Sequence, residues 1–447
     1  MTGVSHDWYL PTPPIPPGHT PESWLRESAF RGVSSRYGNQ EQPELLTRIE
    51  RELAVIRALK CAHYMLIVAE YVNWAKHAGI WVSPGRGAVA GSAVAYALGI
   101  TEVDPMRHGL LFERFLNTDA PTLPDIDLDF EWGRRSEVVE HIVLTYGKEA
   151  VAGITNRVEN RPVHAAAVLI ANRPLSEIVP VSEMPRTDRN VWLSAVELCA
   201  DRDYKECADH GLAKFDLLAL RDLRSLRRIV AAVERRHGMT IMPWSEDLPL
   251  DDPSTYQLLS AGDTNEVFQL GSPPIQRYLR ELQPERFQEV AALLALCRTK
   301  AMGRGHHLAY FDRRHGRGTA ATIHPELDRT VAPILEPTHG VLVYQEQMME
   351  ISQEFSGMSL GQADRLRRSI GRAQPSEVAM SRDKFSAGLE ANDYSTQAAD
   401  ALWTWLCDSN EYAFNKAHAV SYALIAYWGA YLKANFPDEF HEGVNAG

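Results

Sequence analysis

An α+β fold is predicted, with a mixed sheet in the first half of the chain and a mainly helical second half. Three observations carry this. The run Pro124-Asp125-Ile126-Asp127-Leu128-Asp129-Phe130 alternates acid and apolar residues, the period of a half-buried strand. Residues 24–222 alternate helix and strand signals, whereas residues 223–447 place Leu, Ala and Arg at helical spacing with few strand runs. The 447 residues suffice for two or three domains with cores of their own.

The elements follow in order. Residues 1–23 are rich in proline (Pro11, Pro13, Pro14, Pro16, Pro17, Pro21) and read as an extended N-terminus without a core. Glu44 to Ala78 reads as one or two amphipathic helices, with Leu45, Ile49, Leu53 and Ile56 on one face and Gly79 as the stop. A glycine-rich loop, Ser83-Pro84-Gly85-Arg86-Gly87-Ala88-Val89-Ala90-Gly91-Ser92, leads into the small-residue helix Ala93 to Leu98. Ser136 to Tyr146 is a further helix, ended by Gly147. His164 to Ala171 and Gly211 to Phe215 read as buried strands.

On a strand of period two, Asp125, Asp127 and Asp129 point to one face. Three like charges there repel, and no packed core accepts them unpaired. Hard oxygen ligands at this spacing suit Mg²⁺ or Mn²⁺, and a magnesium pair is the usual apparatus of nucleotidyl transfer. The plainer alternative is an exposed acidic strand. A calcium loop is excluded, because Leu128-Asp129-Phe130-Glu131-Trp132 lacks the glycine and further ligands at the required offsets. The upstream loop has the form of an anion cradle, with free amides at a helix start and Arg86 as a phosphate fork. Such loops are common; its weight comes from Leu111-Phe112-Glu113-Arg114-Phe115-Leu116-Asn117 and the acidic run behind it.

The composition, 45% hydrophobic and 23% charged, is that of an ordinary globular protein. Five scattered cysteines give no disulfide framework, and Cys199, Cys207 and His210 lack the paired spacing of a zinc site. No signal peptide or membrane span is legible, which places the chain in the cytoplasm. The net charge of −12 argues against a nucleic-acid binder only on average, since the cations are clustered. Arg298, Lys300, Arg304, Arg313, Arg314 and Arg317 stand against Asp312 alone between Cys297 and Gly318, and four arginines fall between Arg365 and Arg372 with no acid. Most such runs are solvated faces; here Arg298, Lys300, Arg304, Arg313 and Arg314 are taken as candidate DNA contacts.

The order of motifs resembles that of the bacterial C-family DNA polymerases, the DNA polymerase III alpha subunits. The resemblance runs through Pro84 to Ser92, Leu111 to Asn117, Pro124 to Phe130, His164-Ala165-Ala166 and Gly211 to Asp216. It continues through Val267 to Leu270, Tyr344-Gln345-Glu346-Gln347, Leu366-Arg367-Arg368 and Phe414-Asn415-Lys416-Ala417-His418. It implies a polymerase-β-like nucleotidyltransferase palm over residues 24–222 and helical fingers over 223–447. By motif, Asp125, Asp127 and Asp216 are the catalytic, metal-binding carboxylates, with Asp129 less direct. Lys214 and Asp216 share a strand face between Phe215 and Leu217, which agrees. Gly87, Gly91 and Ser92 match the triphosphate loop, Lys214 a phosphate contact, and Arg367 and Arg368 the arginines that grip the incoming nucleotide. Asn415, Lys416 and His418 match the nucleotide pocket. Two Mg²⁺ ions (or Mn²⁺), dNTPs and primer–template DNA are the implied cofactors and substrates, with a sliding clamp or other replication proteins as partners in trans.

Departures from the family pattern shape the expectation. Only Thr155 to Val163 stand where the family has a helical thumb, and the family's N-terminal PHP domain and C-terminal domains have no counterpart in this sequence. Ala88 replaces a serine of the loop, Thr299-Lys300-Ala301 a Pro-Gly-Pro, and Ala167, Ala219 and Ala413 replace glycines. The expectation is a minimal DNA-directed DNA polymerase of low processivity. The alternatives are a non-catalytic accessory or DNA-binding protein that keeps the fold, and a template-independent nucleotidyltransferase.

Overall fold

The computed structural model describes residues 8–38, 42–154, 166–183, 193, 195–242, 244, 248–319, 322–372 and 375–445. These form two compact units, one of residues up to Met106 with Thr122–Arg228, the other of Arg107–Pro121 with the residues from Ile229 on. The segment Arg107–Pro121, read from sequence as part of the first stretch, thus belongs to the second unit.

In the first unit, helices α1 (Pro21–Tyr37), α2 (Pro43–Ala58), α3 (Ala62–His77) and α4 (Ala93–Ala97) precede β1 (Asp127–Glu131). Then come α5 (Arg135–Tyr146), β2 (Val151–Ile154), β3 (Ala167–Ile170), β4 (Val181–Glu183), β5 (Leu198–Ala200), α6 (Tyr204–Asp209) and β6 (Lys214–Leu220). Of the one or two helices expected over Glu44 to Ala78 the structure has two, separated at Leu59–Cys61, and Leu45, Ile49, Leu53 and Ile56 are all buried. The described N-terminal residues are extended but tied down: Tyr9 N donates to Gly211 O at 2.9 Å, Asn172 N donates to Tyr9 O at 3.0 Å, and Leu10 is buried. The helix that follows them starts at Pro21 under a Thr20 cap.

The six strands run in the order β1-β6-β3-β2-β5-β4. Pairs β1/β6 and β2/β5 are parallel and the other three antiparallel, so the sheet is mixed. Helix α3 supplies the floor under the first two strands. Tyr64 stacks on Phe215 at 4.7 Å and Tyr71 lies 6.3 Å from Phe130. With the apolar residues of β1 and β6 turned to α3, the alternate, acidic residues face the other way.

The second unit continues from α7 (Arg221–His237), within which the boundary falls, through α8 (Pro253–Ala261), α9 (Pro273–Leu282), α10 (Phe287–Leu296), α11 (Thr299–Gly303) and α12 (His306–Arg314). It ends with α13 (Pro325–Leu335), α14 (Gln345–Ser356), α15 (Leu360–Arg372), α16 (Pro375–Ala391), α17 (Thr396–Asn410), α18 (Lys416–Asn435) and α19 (Pro437–Asn445). One core joins α13 to α17 through Leu327, Ile351, Phe355, Phe385 and Leu402. Among the described residues no helix is long and apolar enough to cross a membrane.

Candidate active site

Parallel pairing of β1 with β6 sets Asp127 directly opposite Asp216. Asp125 lies just before β1, not within it, and its carboxylate reaches the same place: ligand oxygens of Asp125, Asp127 and Asp216 lie within 4.8 Å of one another. Among the described residues this is the one carboxylate, histidine or cysteine group so arranged, and Cys199 and Cys207 are buried free thiols. Lys214, two residues before Asp216 on the same face, places Nζ 2.6 Å from Asp216 and 3.5 Å from Asp125. Burial, then the charges of Asp125 and Asp216, push the Asp127 carboxyl up to about 6, against the pull of Lys214 and Arg86. Burial works against the Lys214 ammonium, but Asp216 and its neighbours outweigh it and hold the pKa above the ordinary lysine value. A site of three hard oxygen donors whose like charges are only partly met by one ammonium is suited to a divalent cation.

The third aspartate is elsewhere. Asp129 is 2% exposed and pairs with Arg86, whose Nη1 donates at 2.9 Å. The next residue on that face, Glu131, pairs with Arg227 at 2.7 Å. The acidic face therefore continues past the expected run, and Asp129 and Glu131 each have their own guanidinium. Arg86, expected on a phosphate, is an anchor from the glycine loop to β1.

The loop differs more. The amides that open α4 are occupied by the chain itself. Glu52 of α2, 0% exposed, accepts from Ala93 N and Val94 N at 3.0 Å, and Ser92 Oγ takes the Ala95 amide. Ser92 Oγ also donates to Glu52 at 2.7 Å. A hydroxyl has one proton, so Ser92 has none left for a phosphate, and both it and Gly91 are buried. Gly91 and Ser92, expected on the nucleotide, are engaged within the chain in this geometry. Gly87, at φ +67°, remains the loop's left-handed turn.

In the second unit the scattered motifs meet. A bridge pairs Tyr344 with Phe414, and Gln345 N donates to Phe414 O at 2.8 Å. Gln345 Oε1 accepts from Arg114 Nε at 2.9 Å, and Lys416 N donates to Glu346 at 2.9 Å. The buried Asp364 accepts from Arg367 (2.8 and 3.0 Å), Arg368 (2.6 Å) and Asn117 (3.2 Å). Burial and the nearby Arg367 push the Arg114 guanidinium down to about 10. Three half-buried guanidiniums thus stand against two buried carboxylates, Asp364 and Glu346, a small surplus of positive charge that an anion would relieve. Asn415 caps α18, its Oδ1 accepting from His418 N at 2.7 Å, while Lys416 Nζ donates to Gly109 O at 3.1 Å. His418 lies between Phe414 and Tyr422, at 5.3 and 4.3 Å.

The candidate DNA contacts divide. Arg314, with a side chain 15% exposed, is bound to the buried Glu289 and to Glu285, and so holds α12 to α10. Arg313 donates to Gly340 O at 2.7 Å. Both, expected on DNA, are engaged by groups of the chain itself. Lys300 is exposed, Arg298 lies over the Phe414 ring at 4.2 Å, and Arg304 pairs with Glu411 at the surface. Sequence reading assigned no role to Arg114, Asp364 or Glu52. The signal for Asp364 was its spacing of three and four from Arg367 and Arg368; for Glu52 no local signal exists.

The first unit thus holds a carboxylate group suited to a divalent metal, and the second unit holds a guanidinium cluster suited to an anion. Comparison with known proteins gives the family. Residues 23–161 match the bacterial DNA polymerase III alpha NTPase domain, and residues 222–393 the bacterial DNA polymerase III alpha subunit finger domain. The DNA polymerase III subunit alpha of Mycobacterium leprae is 35% identical over 97% of this chain, and those of Aquifex aeolicus and Bacillus subtilis are 33% and 32% identical over the same share. The chain belongs to the bacterial DNA polymerase III alpha family. It spans 43–44% of the length of these relatives. The stretch aligned with the Mycobacterium leprae protein, 520 residues, exceeds the 447 of this chain, so internal segments of that relative have no counterpart in it.

Proposed function

We propose that this chain is a DNA-directed DNA polymerase that transfers deoxynucleotides from dNTPs to a primer 3′-hydroxyl, with Asp125, Asp127 and Asp216 holding Mg²⁺ or Mn²⁺. The observation that carries it is the register of β1 and β6, which gathers these carboxylates within 4.8 Å. A bound divalent pair supplies an acidified 3′-hydroxyl and charge neutralisation at the pyrophosphate leaving group. The residues do the rest. Lys214 holds Asp216 and Asp125 in place by its ammonium. Arg114, Arg367 and Arg368 receive the triphosphate and stabilise the negative charge that develops on it. Asp364 preorients Arg367 and Arg368, so little side-chain entropy is lost when a phosphate arrives. Template pairing selects the base, and a clamp or another replication protein acts in trans.

The low-processivity reading is supported by the interrupted alignment with the longer relatives. The short stretch Thr155 to Val163, on which the missing thumb was inferred, lies outside the described residues. Extension of a labelled primer by the parent chain and by Asp127→Asn, with Mg²⁺, tests the function. The expected result is extension by the parent and none by the variant. Equal extension by both overturns the metal assignment, and no extension by either turns the reading to a non-catalytic binding protein.

A further inference from the structure

Glu52 is a carboxylate with 0% exposure, far in sequence from every motif, and both of its oxygens are doubly used. Oε1 accepts from Ala93 N and from Arg48 Nε, each at 3.0 Å; Oε2 accepts from Ser92 Oγ at 2.7 Å and Val94 N at 3.0 Å. Arg48, one turn earlier on α2, sends its other nitrogens to Gly91 O at 2.7 Å and Met106 Sδ at 3.6 Å. The pair grips the turn from Val89 to Val94 on both sides, its amides by Glu52 and its carbonyl by Arg48. A carboxylate is not left in an apolar interior unless such donors hold it, so the arrangement is all-or-none.

The other end of the loop is fixed independently. Ser83 N donates to Asp129 O at 2.8 Å, Ser83 Oγ accepts from Asp129 N at 3.3 Å, and Arg86 binds the Asp129 carboxylate. Pro84 to Ala88 therefore span two anchors, one on the strand that carries Asp127 and one on α2. We propose that Glu52 and Arg48 are positioning residues that set the conformation of Pro84–Ala88 for the incoming nucleotide's phosphates. This rests on the nucleotide-transfer reading given above. The α4 start is filled by a permanent internal anion, and the nucleotide meets only the part of the loop ahead of it. Ala88, which brings no hydroxyl to the loop, leaves backbone placement to do more of the work.

The test is Glu52→Gln, which keeps the volume but aims an amide N–H₂ at groups that are themselves donors. Steady-state extension is expected to show KM raised about tenfold for all four dNTPs alike, with primer–template affinity within about twofold of the parent. Hydrogen exchange of the parent and variant is expected to quicken across residues 84–94 and stay unchanged in β1 and β6. A folded variant with parental KM and parental exchange overturns the proposal, as does a KM change confined to primer–template DNA. Should Glu52→Gln fail to fold, Arg48→Lys takes its place; it keeps the charge and loses the second arm to Gly91, and the same two readouts decide. If the parent itself incorporates no nucleotide, the polymerase reading falls, and exchange across 84–94 alone judges the clamp.

Discussion

Asp127 stands opposite Asp216 and beside Asp125, and burial first, then the charges of those two carboxylates, raise its carboxyl to about 6. Because the folded value lies above the unfolded one near 3.8, the group's favourable contribution is complete below pH 3.8 and is lost as pH rises through about 6. In excess EDTA at pH 7, Asp127→Asn should therefore be more stable than the parent by about 1–3 kcal/mol, and the difference should vanish toward pH 4. Thermal melts of both proteins across that window check it; a variant less stable than the parent at pH 7 would refute the repulsion. On the metal assignment proposed above, Mg²⁺ should reverse the order, because a ligand of the folded parent stabilises it by mass action. The second residue-scale prediction concerns the cations. Replacing Arg367 or Arg368 by Ala should raise KM for every dNTP alike by about 10–100-fold, because phosphates carry no base identity and a charged hydrogen bond is worth about 1.5–3 kcal/mol. Loss of primer–template affinity with unchanged dNTP KM would place them on the duplex instead.

At the scale of elements, the site depends on how closely backbones approach. Helix α1 crosses α4 at Gly32, where an added Cβ would stand 1.9 Å from the Ala97 carbonyl oxygen. Helix α4 is the element whose start Glu52 fills, so the crossing and the loop are parts of one packing. Gly32→Ala should destabilise the first unit by about 1–3 kcal/mol, although alanine is favoured over glycine in a helix by about 1 kcal/mol. Urea unfolding measures the sign; a gain in stability would show that α1 is free to move off α4. Gly388 plays the equivalent part in the second unit, where its Cβ would meet the Ser356 carbonyl at 2.3 Å. The two strands that carry Asp127 and Asp216 need no such device. Their parallel register alone decides that the carboxylates are neighbours.

At the scale of the whole molecule, the net charge of −12 conceals local clusters. Asp125, Asp127 and Asp216 meet at one point of the first unit, Arg114, Arg367 and Arg368 gather near Asp364 in the second, and neither cluster is visible in an average. Affinity for a duplex grows with the number of phosphates contacted, and it steepens with each. A chain that lacks counterparts for internal segments of its longer relatives should make fewer such contacts. Extension of a labelled primer in the presence of excess unlabelled trap DNA should then stop after one or a few additions, and lengthen when a clamp is supplied. Products of hundreds of nucleotides under trap conditions, from the chain alone, would show that other surfaces hold the duplex.

The sequence by itself determined the strand that carries Asp127 and Asp129, the helical second half, the helix face of Leu45, Ile49, Leu53 and Ile56, and the family. These are matters of period and of short contiguous motifs, and both survive without knowledge of the fold. Only the tertiary structure decided the partners. Period two put Asp129 with Asp125 and Asp127 and the family motif named Asp216, but the register that brings Asp216 opposite Asp127, and the loop guanidinium that pairs with Asp129, are set by the fold. The glycine loop read as an anion cradle because nothing local shows that Glu52, 40 residues before Ser92, fills it. Nothing local in the sequence shows that Arg314 pairs with Glu289, or that Arg114 lies near Arg367. A charge's role is set by what it faces, and what it faces is fixed by contacts distant in the chain.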